Sequence, residues 1–233
     1  MNLTSSLRKS GYDLIESPVR NQKLTQLWLK KDFDKIQLFY DQLAHAFESD
    51  VKINIVTNEA LSVNSEIKNE FNFNIGITTL DTVLKSIGLA NLNIATEIKK
   101  GKKVTISYDN SITKEIEIGT LNNFLSSADF LHPNESLLKS LNKNDVIIVT
   151  GVLYAKNLNV EIETDFKISS SLKAQFEEVA EGKIDFNFEA TNKIKMTAQT
   201  GDYYPIAVKA NRLDFDHGVY KNQKLVTDSR NFF

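Results

Sequence analysis

The chain has 233 residues, 41% hydrophobic and 25% charged, a composition that suits one sizeable globular domain and excludes disorder, collagen and coiled coil. Lys+Arg 28 against Asp+Glu 30 leaves a net charge of −2, so no overall field draws nucleic acid or an anionic membrane, and any such attraction is local. With no cysteine there is no disulfide, no thiolate nucleophile, no cysteine metal site and no S-acylation site.

The opening MNLTSSLRKSGYDLIE has no apolar run of signal-peptide length, and nowhere do about 18 apolar residues follow one another. A cytoplasmic start without a membrane-spanning helix is expected. Nine glycines and three prolines punctuate the chain without marking off two halves, so one domain is expected. Residues 3–10 suit a short helix closed by Gly11, followed by strands at 12–15 and 26–29. From Asp34, the apolar positions Ile36, Phe39, Tyr40, Leu43 and Phe47 recur at three- and four-residue steps, which predicts a helix. Residues 51–56 alternate like a strand, and Asn-rich 57–74 reads as a surface loop or edge. Thr79 is placed to cap a helix carrying Leu80, Val83, Leu84 and Ile87 and ended by Gly88.

Period two then takes over. Residues 92–98 and 104–108 read as a hairpin around a KKGKK turn at 99–103, with a further strand at 112–118. Two short helices follow, one capped by Thr120, the other by Asn134 after Pro133. Residues 145–155, DVIIVTGVLYA, are nearly all apolar and often β-branched, which predicts a central strand buried on both faces. Val160, Ile162 and Thr164 alternate with Glu161, Glu163 and Asp165; Ile168, Leu172, Phe176 and Val179 suit a helix. Residues 184–188 and 194–198 return to period two. The last clear strand is 205–215, followed by the mixed tail HGVYKNQKLVTDSRNFF.

Residue chemistry for catalysis is missing. His45, His132 and His217 belong to no recognisable motif, and there is no dinucleotide or nucleotide phosphate loop, no H-E-x-x-H and no EF-hand spacing. Glu161, Glu163 and Asp165 on one strand face are compatible with a cation or with a solvated face. No catalytic residue, metal site or cofactor is therefore assigned. What remains is two long amphipathic β segments, roughly 91–118 and 158–198. That pattern fits a sheet with one wet face, and it also fits membrane-barrel strands, which span the hydrocarbon in about 9–11 tilted residues. Basic residues gather at KKGKK and in the first 31 positions, where Arg8, Lys9, Arg20, Lys23, Lys30 and Lys31 face Asp13 and Glu16. Such charges serve solubility or, near anionic lipid, contribute about 1 kcal/mol each.

The order of these pieces resembles the bacterial gasdermins. The stretches that carry the resemblance are the opening basic helix into GYDLIESPV, then IGITTLDTVLKSIG, LNIATEIKKGKKVTISYDN and EIEIGTLNNFLSSADFLHPNESLLKSLNKNDVIIVTGVLYAKNLNVEIE, over about residues 1–216. The resemblance implies a single α+β domain with a central twisted, largely antiparallel sheet surrounded by short helices, like a gasdermin N-terminal domain. It implies a pore-forming domain over 1–216 and an autoinhibitory C-terminal peptide over 217–233. A caspase-like or trypsin-like protease would remove the peptide during phage infection. The freed domain, a cytoplasmic monomer when intact, would then oligomerise into β-barrel pores in the inner membrane and kill the cell.

Carried over by position, 75–99 with 103–120 would form one membrane hairpin, and 145–168 with 183–200 the other. The residues implied to face lipid are Leu92, Ile94, Ile98, Val104, Ile106, Val160, Ile162, Ile184, Phe186, Phe188, Ile194 and Met196. Glu97, Lys99, Glu161, Glu163, Asp185 and Lys195 would face the lumen. Arg8, Lys9, Lys99, Lys100, Lys102 and Lys103 would meet lipid headgroups, and Val219, Leu225, Val226, Phe232 and Phe233 would dock the tail. Lys221, Lys224, Leu225, Asp228 and Arg230 are candidate cleavage points within 214–230. Many relatives carry a palmitoylated N-terminal cysteine; this chain has Leu3, Thr4, Ser5, Ser6 and Leu7 there, so insertion would proceed without it. The alternative reading is a non-enzymatic α+β protein-interaction module.

Overall fold

The computed structural model describes residues 7–14, 22–30, 36–59, 101–107, 110–132, 134–156, 159–164, 167–171, 173–174, 184–198 and 204–226. Among these, an eight-stranded sheet carries most of the core, a four-stranded sheet continues from it, and a small two-stranded ladder lies apart. Every ladder is antiparallel.

The strand expected at 145–155 is β9 of the large sheet, Val146–Lys156. Val146 and Ile148 join one apolar cluster, and Ile147, Val149 and Val152 join another on the opposite face. The run is thus covered on both sides, as its unbroken apolar sequence requires. It pairs with β13, Tyr204–Asp216, along one edge, and along the other with β2, Leu27–Leu29, and β7, Asn110–Ile116, placed end to end. Beyond these lie β1, Asp13–Leu14, on β13; β3, Gln37–Tyr40, on β2; and β5, Ile55–Glu59, on β7.

Helix α1 spans Ile118–Ser127 and buries Leu121, Phe124 and Leu125 under the large sheet. Its first residue follows Glu117, so Thr120 is not the cap. The Thr120 hydroxyl sits inside the first turn, donating to the Glu117 carbonyl at 2.9 Å and accepting from the Asn54 N–H at 3.0 Å. Helix α2, Glu135–Asn142, does begin at its expected cap: Asn134 Oδ1 accepts from the Leu137 N–H at 2.7 Å. At the N-terminus residues 7–9 are helical, and Gly11, at φ +80, makes the turn into β1.

The helix expected from Asp34 is not formed. Gln37–Tyr40 is β3, Leu43–His45 is a 3-10 turn and Phe47–Glu48 is β4, paired with β8, Asp129–Phe130. The open edge of β2 captures 37–40, while Phe47 packs with Phe130 at 5.2 Å and Phe215 at 5.8 Å between ring centroids. The helical spacing arises because consecutive short elements each bury one or two side chains. The strand expected at 51–56 is shifted to β5, and Thr57–Glu59, from the stretch read as a surface loop or edge, join it as an edge strand on β7. Residues 60–100, including the helix expected after Thr79, lie outside the described residues.

The smaller sheet is built in the order β11-β12-β10-β6 from Ile184–Ala190, Lys193–Ala198, Asn159–Thr164 and Gly101–Ser107. Gly101–Lys103 are therefore ladder residues and not a turn, with Lys103 opposite Glu163. Of the helix expected from Ile168, residues 170–171 and 173–174 are helical. The chain also has a strand after the one expected to be last: β14, Val219–Leu225, folds back on β13 through His217 and Gly218, both at positive φ.

Candidate functional site

Strands β6 and β7 face β10 and β9 in a single register. Lys103↔Glu163 and Ser107↔Asn159 in the small sheet continue as Asn110↔Lys156 and Glu115↔Gly151 in the large one, with no offset between the two ladders. β6 with β10 over 103–107 and 159–163, and β7 with β9 over 110–115 and 151–156, thus keep one register from the small sheet to the large one, and these paired segments are called the ribbon below. Strand β12 flanks the ribbon in the small sheet, and β13 flanks it in the large one.

Across the small sheet the register sorts residues into alternating rows. Phe186, Met196, Val160 and Ile106 stand side by side, as do Ile194, Ile162 and Val104. Between and beside them run Asn187, Lys195, Glu161 and Thr105 in one row, and Lys193, Glu163 and Lys103 in another. In a pleated sheet such rows alternate between faces, so apolar positions collect on one face and polar ones on the other. Lys193 Nζ donates to Glu161 Oε1 at 3.4 Å, which pairs one of the expected carboxylates, while Asp165 lies outside the described residues. Among the described residues no group of His, Cys, Asp or Glu is arranged to hold a metal ion. Ile194 is fully buried, and Phe188 is half-buried beneath Lys173, whose Nζ lies 4.8 Å from the ring centroid. Ile184 lies in register with Ala198 at the sheet end. Leu92, Ile94 and Ile98 lie outside the described residues.

The C-terminal segment is held by β14. Its ladder runs from Asp216↔Val219 to Asn211↔Leu225, and the Val226 N–H extends it to the Ala210 carbonyl at 2.9 Å. Tyr220 supplies the main side-chain anchor: its hydroxyl donates to Asn122 Oδ1 of α1 at 2.5 Å, and its ring meets Phe215 edge-on at 5.4 Å. Burial, and then the nearby Asp214 charge, push its pKa up to about 12. The Gly218 N–H donates to Asn142 Oδ1 at the end of α2 at 2.9 Å, and Asn211 Nδ2 donates to Gln223 Oε1.

Of the expected docking residues, Val226 packs on the cluster around Trp28 and Val149, whereas Val219 is 59% exposed and contributes no such contact. Leu225 lies over Gly11, where a Cβ would come within 3.0 Å of Leu225 Cδ2. Tyr220, Asn122, Asn142 and Gln223 were not singled out by sequence. The His217–Gly218 pair directly after a strand was the available turn signal. Lys221 and Lys224 are exposed on β14, Lys224 opposite Arg212 and Lys221 at the register shift between Tyr220 and Asn222; Asp228, Arg230, Phe232 and Phe233 lie outside the described residues.

Of the six basic residues expected to meet lipid headgroups, four are among the described residues. Arg8 Nε is engaged with Asp13 Oδ1 at 2.8 Å, Lys9 is exposed, and Lys102 and Lys103 lie in β6. Lys99 and Lys100 are outside the described residues. Among the described residues no helix is long and apolar enough to cross a membrane, which leaves strands untouched by that criterion.

Comparisons with known proteins bear on this arrangement. Gasdermin bGSDM of a Desulfuromonadales bacterium is 21% identical over 220 residues, covering 92% of this chain and 82% of that protein. Gasdermin bGSDM of Gillisia limnaea is 20% identical over the same length and coverage. The solved structure of a bacterial gasdermin from Bradyrhizobium tropiciagri superposes with a TM-score of 0.59 at 13% identity, over 95% of this chain and 90% of that one, and so shares the fold. The Bacterial Gasdermin Family model matches residues 15–221, and the chain belongs to that family, one of pore-forming proteins that are not enzymes.

Proposed function

We propose that this chain is an autoinhibited pore former in which a C-terminal segment, 217–233, restrains a pore-forming body, 1–216. Cutting the segment lets copies of the body assemble into a β-barrel in the inner membrane. The observation that carries this reading is the row pattern of the small sheet: apolar positions Ile106, Val160, Met196 and Phe186 share one row, and polar Thr105, Glu161, Lys195 and Asn187 the next. A barrel strand needs that alternation, one face to lipid and one to the water-filled lumen. Strand edges in lipid must be closed, and a ring of copies closes them.

The tail supports the second half of the reading. While β14 covers residues 211–216 of β13, that edge is unavailable to another copy, and Val226 keeps its apolar cluster covered. After a cut, the peptide is no longer tethered at high local concentration and leaves. A caspase-like or trypsin-like protease is the proposed activator, infection by phage the proposed occasion, and death of the host cell the outcome.

The test places a site for a sequence-specific protease in the His217–Gly218 turn, a tip that tolerates insertion. Cut and uncut protein are then added to dye-loaded vesicles of phosphatidylethanolamine and phosphatidylglycerol. Cut protein is expected to form rings and release dye while uncut protein does neither. A verified cut product that stays monomeric and leaves the vesicles sealed overturns the proposal.

A further inference from the structure

A polar cluster sits at the base of the ribbon, apart from the striped rows and beside the end of the β14 ladder. Glu115 of β7 and Lys209 of β13 stand opposite Gly151 of β9 from its two sides. Because residue 151 has no side chain, the row is open, and Lys209 Nζ reaches across it to donate to Glu115 Oε1 at 2.8 Å. The Tyr12 hydroxyl enters from the N-terminal segment and donates to the same oxygen at 2.5 Å. Lys209 Nζ also lies 4.9 Å from the centroid of the Tyr12 ring, which is buried with Leu7, Leu153 and Ala207. One carboxylate oxygen therefore joins the N-terminal segment, the ribbon and the central strand pair.

The charges suit that arrangement. Burial alone would raise Glu115, but the hydrogen bonds from Lys209 and Tyr12 outweigh it and hold the carboxyl below its ordinary range. Burial, reinforced by the bond to Glu115, raises the Tyr12 phenol, so it remains a donor. The end of the C-terminal strand lies over the cluster: a Cβ on Gly11 would meet Leu225 Cδ2 at 3.0 Å and Lys209 Cε at 3.4 Å.

We propose that Tyr12, Glu115 and Lys209 form a second lock on the closed form, lying beneath the tail and fastening the base of the ribbon to the N-terminal segment. The proposal rests on the reading of the chain as a tail-restrained pore former. Removing the tail lifts Leu225 from Gly11 but leaves all three lock residues bonded. Drawing the ribbon out of the large sheet then parts Glu115 from both donors, which strands buried polar groups until water or lipid headgroups reach them. Cutting is thus necessary for opening, and the lock sets how fast opening follows.

Tyr12→Phe, Glu115→Gln and Lys209→Met are made in the full chain carrying the cleavable turn. Amide hydrogen exchange on uncut protein is expected to speed about tenfold at 110–116 and 151–156 while α2 is unchanged, because Tyr12→Phe and Lys209→Met each remove one lock bond and Glu115→Gln removes the charge that strengthens both. After cutting, dye release from phosphatidylethanolamine/phosphatidylglycerol vesicles is expected to be about tenfold faster than for the cut parent, in line with the lost bonds. Unchanged exchange in all folded variants overturns the lock whatever the vesicles do. Faster exchange with dye release at the parental rate overturns its gating role. Should the cut parent itself leave vesicles sealed, the pore reading fails, and the exchange result alone decides the lock.

Discussion

The Tyr12 hydroxyl takes the space a side chain at Gly151 would need: a Cβ built on residue 151 would lie 3.0 Å from the Tyr12 hydroxyl oxygen and 3.0 Å from Lys209 Cβ. Gly151→Ala must therefore push back Lys209 Cβ, which its backbone holds in the centre of the large sheet, and the Tyr12 hydroxyl. A loss of about 1–3 kcal/mol is expected, the range for overpacking a closed site, read from the denaturant midpoint. Gly119 in the first turn of α1 has nothing within 4 Å of such a Cβ, so Gly119→Ala should gain up to about 1 kcal/mol from helix propensity. Equal midpoints for the two variants would show that the space around Gly151 is not filled.

Tyr220→Phe keeps the ring contact with Phe215 and deletes only the bond to Asn122. The variant should loosen β14 by about 1 kcal/mol, the usual net value of one hydrogen bond. Limited proteolysis at Lys221 and Lys224 should then be several-fold faster while cleavage elsewhere is unchanged. Parental kinetics at both lysines would rule out Tyr220 as the anchor.

Stability should fall with rising pH above about 10, the ordinary tyrosine value. The Tyr12 and Tyr220 phenols are both raised by burial, Tyr220 to about 12. A group that holds its proton more tightly when folded contributes fully below its unfolded pKa, and that contribution is lost as pH climbs through the folded value. Glu115 has the opposite sign: its lowered pKa contributes above the ordinary carboxylate range and is lost as pH falls through the folded value. Tyr12→Phe should flatten the alkaline limb and Glu115→Gln the acid limb of a urea midpoint profile. Limbs identical to the parent's would remove these groups from the pH dependence.

Ile106 and Thr105 are adjacent on β6 but belong to different rows. Arginine in the lipid-facing row of a barrel costs about 2–4 kcal/mol per copy at mid-depth, whereas a lumen-facing position tolerates it. After cutting, Ile106→Arg should abolish dye release and Thr105→Arg should retain it, provided both melt cooperatively beforehand. Leakage by both, or by Ile106→Arg alone, would contradict the assignment of faces.

Where burial is imposed along a whole element, local residue order was enough. β9 was legible because an unbroken run of β-branched residues suits only a strand covered on both faces, and α2 because Asn134 supplies the side-chain acceptor that a helix start needs. The alternation of 184–188 and 194–198 likewise survives as β11 and β12. Residues 36–47 misled because helical spacing cannot be told from several short elements each burying a residue or two, and the edge of β2 decided between them.

The sequence by itself determined which strands are amphipathic and where the buried centre lies, since these follow from side-chain polarity and branching along the chain. Only the tertiary structure decided that 103–107 with 159–163 and 110–115 with 151–156 share one register, that β14 closes the edge of β13, and that Tyr12, Glu115 and Lys209 converge over Gly151. The shared register and the polar cluster depend on residues far apart in the chain, and even the nearby return of β14 gains its free energy only once the strands are brought together.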